Sequence, residues 1–66
     1  MTAQDIINII IAWHKDVSPE EVRELLVSRA AVGDLSYIRA ELAGHVSSNE
    51  HNASDWALKA IDNIVE

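Results

Sequence analysis

The sequence predicts an all-α fold, a compact bundle of four short helices at about 3–15, 19–32, 35–47 and 53–65. Three observations point there. Apolar residues recur at helical rather than strand spacing. Each apolar stretch is preceded by a residue that caps helices. The stretches between them are short enough to join neighbours in a bundle. The chain has 66 residues, so it forms one domain at most. Cysteine is absent, which excludes disulfides and thiolate metal sites as sources of stability. Helix packing, self-association or a partner must supply it instead.

The first helix opens at Thr2, with Asp5 three residues on in a capping-box pattern. The carboxylate of Asp5 also meets the positive end of the helix dipole. Ile6, Ile9, Ile10, Trp13 and Val17 fall on i, i+3, i+4, i+7 and i+11. That period overrides the β-propensity of a run rich in isoleucine. Ile7 and Ile11 extend the apolar surface around most of the circumference. A helix apolar on nearly all sides is buried on nearly all sides. Three other short helices offer limited cover, so a homodimer with this helix in its core is expected.

Ser18-Pro19-Glu20-Glu21 is the clearest local signal. It supplies a capping hydroxyl, a proline at the first helical position and an acid at the third. Val17 and Val22 sit where a hydrophobic staple would form. Glu20 and Arg23 are spaced for an ion pair. The inward stripe is Val22, Leu25, Leu26 and Ala30, and Gly33 stands past the end as a left-handed terminator.

Asp34 is placed to cap the third helix, whose inner face is Leu35, Ile38, Leu42 and Val46. Gly44 weakens its last turn. The polar run from Ser47 to His51 reads as a loop. Asn52 caps the fourth helix, with Asp55 at its third position and an Asp55–Lys59 pair in the favoured order. Ala57, Ala60, Ile61, Ile64 and Val65 form its apolar face, flanked by Trp56 and Leu58.

Five basic residues stand against eleven acidic ones, a net charge of −6. That repels nucleic-acid backbones and anionic membranes and admits a basic partner. No stretch is long enough to span a bilayer. The start lacks a basic region typical of a signal peptide, and a cytoplasmic location is expected. Asn52-Ala53-Ser54 has the form of a glycosylation sequon, which carries no weight without secretion.

Catalytic and metal chemistry find little purchase. His14, His45 and His51 are the only histidines, and Glu41–His45 is the best metal-like pair. Two ligands do not make a site. The serines lack a nucleophile elbow, and two glycines cannot build a phosphate cradle. The acidic groups Glu20-Glu21-Glu24 and Asp62–Glu66 are explained by a helix N-terminus and a solvated chain end. No cofactor is expected.

The expectation is therefore a non-enzymatic protein-binding module, an adaptor or inhibitor that occupies a partner's surface. Its contact residues would be Ile7, Ile11 and Trp13, with Asp16, Glu20 and Glu24 steering a basic partner and Tyr37 and Arg39 as an exposed pair. The alternative is a small helix-turn-helix regulator reading DNA through the third helix. Only Arg39 is basic at the start of that helix, and the net charge opposes it.

Overall fold

The structure is a computed structural model that describes residues 1–46 and 52–65, with side chains in the last helix described through Ile64. Four α-helices are present among the described residues: α1 (Ala3–Trp13), α2 (Pro19–Arg29), α3 (Leu35–Ala43) and α4 (Ala53–Val65). A 3₁₀ turn, Val32–Asp34, leads into α3. No strand occurs among the described residues. None of their helices is long and apolar enough to cross a membrane.

The capping signals largely act as the sequence implies. Thr2 and Asp5 form a complete capping box: the Thr2 hydroxyl accepts from the Asp5 N–H at 3.2 Å, and the Thr2 N–H donates to the Asp5 carboxylate at 3.0 Å. Ser18 Oγ accepts from the Glu21 N–H at 3.3 Å, with Pro19 opening α2. Asn52 Oδ1 accepts from the Asp55 N–H at 3.2 Å at the head of α4.

The helix ends differ from the sequence reading. α1 stops at Trp13 instead of Lys15, because His14 takes φ 50° and ψ −100°. That φ is costly for a residue with a Cβ. The turn has a structural return: the His14 carbonyl accepts the Ala53 N–H at 2.7 Å. The first N–H groups of a helix have no partner within it, so the end of α1 satisfies one at the start of α4.

α2 stops at Arg29 instead of residue 32, because Ala30 and Ala31 are extended. Gly33 does not act as a left-handed terminator. No described glycine has a positive φ, and Gly33 lies in the 3₁₀ turn. Asp34 makes no side-chain cap to α3. The turn does that work with backbone alone, through Asp34 N–H to Ala31 O at 2.9 Å and Leu35 N–H to Val32 O. α3 ends at Ala43, short of the expected 47. Gly44 and His45 close it with tighter i→i+3 bonds, the His45 one at 2.9 Å. The loop expected at Ser47–His51 lies outside the described residues.

The core contains Ile6, Ile7 and Ile10 of α1, Val22 and Leu26 of α2, and Leu35, Ile38 and Leu42 of α3. Ala53, Ala57, Ala60 and Ile61 of α4 complete it. The central element is α4, which packs against all three other helices and most extensively against α2. Alanines at i, i+4 and i+7 let neighbouring backbones come close on that side. α1 and α2, neighbours in sequence, share a smaller interface than α4 makes with either. The radius of gyration is 10.4 Å, against about 11 Å for a packed domain of this length. One chain therefore encloses a core by itself.

Candidate functional site

α4 carries two flanks of different character. Trp56, Lys59, Ala60 and Asn63 repeat at i, i+3, i+4 and i+7, so they share one side of the helix. On α2, Pro19 and Arg23 are one turn apart. These six residues line an open groove of about 180 Å³ between the two helices. Pro19 and Ala60 leave the space, and the half-buried Trp56 forms its largest apolar wall. Lys59 pairs with Asp55 at 3.3 Å. Arg23 makes no ion pair among the described residues. The Glu20–Arg23 pair expected from spacing is not formed among the described residues, and Arg23 lines the groove.

The opposite flank of α4 is stitched to α3. Arg39 Nε donates to Asp62 Oδ1 at 2.8 Å and Nη2 donates to Oδ2 at 3.3 Å, a two-pronged pair between exposed side chains. The hydrogen bonds from Arg39, followed by its charge, lower the Asp62 pKa below the usual carboxylate range. The same contact raises the Arg39 pKa. Asp5 is also lowered, first by the Thr2 backbone N–H and then by the Thr2 hydroxyl.

The residues singled out from sequence do not assemble into one surface. Ile7 is 2% exposed and belongs to the core, so it cannot contact a partner. α1 is less demanding than its composition suggested: Ile6, Ile7 and Ile10 are covered within one chain, Ile9 is half-buried, and Ile11 remains 37% exposed. Trp13 is half-buried and packs against the core. Ile11 and the open margin of Trp13 are what α1 offers to a second molecule.

Asp16, Glu20 and Glu24 are exposed, with Glu20 and Glu24 on the outward side of α2. None of the three is ion-paired among the described residues. Tyr37 and Arg39 are exposed but turn to different neighbours. The Tyr37 hydroxyl donates to Gln4 Oε1 on α1 at 3.3 Å, while Arg39 is held by Asp62 on α4. Glu41 and His45 lose their shared face because α3 ends at Ala43 between them. No group of three or more potential ligands that could hold a metal ion occurs among the described residues.

The groove was missed by sequence reasoning. Its signal was present in the spacing of Trp56, Lys59, Ala60 and Asn63, but nothing in one helix states which other helix will face it. Val27 and Val32, 55% and 81% exposed, were missed too. Single exposed apolar residues are ordinary on a protein surface.

Comparison with known proteins finds no matching family model, no matching curated protein and no matching solved structure. The functional reading therefore stands on the residues of this chain.

Proposed function

We propose that this chain is a non-enzymatic protein-binding module, an adaptor or inhibitor that occupies a partner's surface, and that it takes hold through the groove between α2 and α4. The observation that carries this reading is the make-up of the groove: Trp56 beside small apolar neighbours, bordered by Arg23, Lys59 and Asn63. An apolar centre with a polar rim is the anatomy of a protein interface, and Trp and Arg are its commonest anchors. At about 180 Å³ the groove suits one or two partner side chains. Pockets for drug-sized ligands run to about 300–1,000 Å³.

Selection from a random peptide library tests the proposal, with the intact protein as bait and its Trp56→Ala and Asn63→Trp forms as counter-baits, the added bulk at position 63 obstructing the groove whatever the partner's charge. Enriched peptides should bind the parent and lose about tenfold or more in affinity on either substitution. Asn63 is exposed, so Asn63→Trp reads the groove even where Trp56→Ala disturbs packing. Failure to enrich any peptide that distinguishes the parent from both variants overturns the reading. Peptides sensitive instead to Glu20→Gln and Glu24→Gln would move the contact to the acidic face of α2, where a basic partner fits.

A further inference from the structure

We infer that the groove between α2 and α4 receives an acidic segment of its partner, a short stretch with an apolar side chain next to carboxylates. The inference rests on the protein-binding reading and reverses the partner charge that overall composition implies. The chain has eleven acidic residues and only five basic ones. Two of those five, Arg23 and Lys59, line this one small groove, and no carboxylate lines it.

The five cations are committed to different degrees. Arg39 is held in both prongs by Asp62. Lys59 has one ion pair among the described residues, 3.3 Å to Asp55, and its side chain is two-thirds exposed. An ammonium has three donors, so Lys59 keeps capacity for a second acceptor. Arg23 has no ion pair among the described residues, and it lines the same groove as Trp56. A planar guanidinium in that position is suited to grip a carboxylate with two bonds.

The net charge of −6 does not override this local arrangement. At physiological ionic strength the Debye length is about 8 Å, so carboxylates on distant faces are largely screened. The two cationic residues that line the groove act on a bound group at short range. Length decides between an acidic peptide and a nucleic-acid strand, which also suits an aromatic wall with cations. A strand carries a charge at every nucleotide and would extend beyond so small a groove onto a molecule of net charge −6. A peptide places its carboxylates locally.

The test is a titration of the full ¹⁵N-labelled chain at about 0.15 M salt. The probes are three capped peptides with one central leucine, flanked by Asp and Glu, by Asn and Gln, or by Lys, plus an oligothymidylate of similar length. The acidic peptide should bind most tightly and shift the resonances of Trp56, Lys59 and Asn63. Arg23→Gln and Lys59→Gln together should weaken it about tenfold and leave the Asn/Gln peptide unchanged. Both side chains are exposed, so the double variant should keep its fold, checked by its amide spectrum.

Equal or tighter binding of the Asn/Gln or Lys peptide at the groove overturns the inference and leaves the protein-binding reading standing. So does acidic-peptide affinity that is indifferent to the double variant. Tighter binding of the oligothymidylate at the groove overturns both and assigns the site to nucleic acid. Absence of groove shifts with every probe, together with a failed peptide selection, also overturns both. Absence of shifts beside a successful selection overturns the inference alone.

Discussion

α1 and α4 exchange the places their compositions suggest. α1 packs five isoleucines into positions 6–11, and α4 offers Ala53, Ala57 and Ala60 with Ile61 and Ile64. Hydrophobicity alone would put α1 at the centre. The structure puts α4 there, in contact with every other helix, and leaves α1 with an exposed Ile11. The reason is steric. A central helix must be approached from several sides, and small side chains permit that, while branched ones hold neighbours off. Apolar content states how much surface must be covered. Side-chain size states how many neighbours can cover it.

The contrast can be broken first at two isoleucines one turn apart. Ile7→Ala empties a buried site and should cost about 2–5 kcal/mol. A small single core supplies about 3–5 kcal/mol in total, so this variant should be largely unfolded at 25 °C. Ile11→Ala should stay within about 0.5 kcal/mol of the parent. Urea titration followed by circular dichroism measures both. A similar cost at the two positions would mean that α1 is buried all round, as in a dimer core, and solution mass by light scattering would show it.

The second break is at the centre. Ala57 is fully buried on α4, and Ala57→Leu should cost about 1–3 kcal/mol by forcing the neighbouring helices apart. The enlargement Ala12→Leu on the exposed side of α1 should be close to neutral. A tolerated Ala57→Leu would remove α4 from the middle of the packing.

The third addresses the joint between the two helices. His14 holds a left-handed φ so that its carbonyl can reach the Ala53 N–H. Glycine adopts that conformation without strain, so His14→Gly should raise stability by about 1 kcal/mol after the greater entropy of the unfolded chain is subtracted. His14→Val should lower stability, because a β-branched residue is poorly suited to φ > 0. A drop in stability with glycine would show that the imidazole contributes more than the backbone costs.

The smallest effect is in acid. Asp5 and Asp62 both have lowered pKa values in the folded chain. Such groups contribute stability that is fully present above the unfolded carboxylate pKa of about 4 and is lost as pH falls through the lower folded values. The thermal midpoint should therefore fall progressively below about pH 4. Arg39→Gln should remove the Asp62 share, while Thr2→Ala should remove only the smaller, hydroxyl part of the Asp5 share because the backbone N–H stays in place; each flattens the curve. An unchanged acid profile in both variants would show that other carboxylates govern it.

Much of the local structure was legible because its causes are local. The capping box at Thr2 and Asp5, the Ser18-Pro19 start and the Asn52 cap each satisfy backbone donors with residues at most three positions away. The inward stripes of α2 and α4 followed from a period of 3.6. Helix ends were less legible. Gly33 looked like a terminator, yet the extended Ala30 and the left-handed His14 ended helices instead. Those conformations are imposed by where the next helix must dock.

What the sequence by itself determined was the number of helices, their starts, the faces that α2, α3 and α4 turn inward and the acidic charge of the whole. Each depends on interactions within a turn or two of the chain, or on a sum over it. What only the tertiary structure decided was that α4 is central, that Ile7 is covered while Ile11 is not, that Tyr37 and Arg39 face different helices, and that Arg23 and Lys59 meet Trp56 at one groove. Each of these depends on which surfaces far apart in sequence come together, and that is set by how side-chain volumes fit across helices.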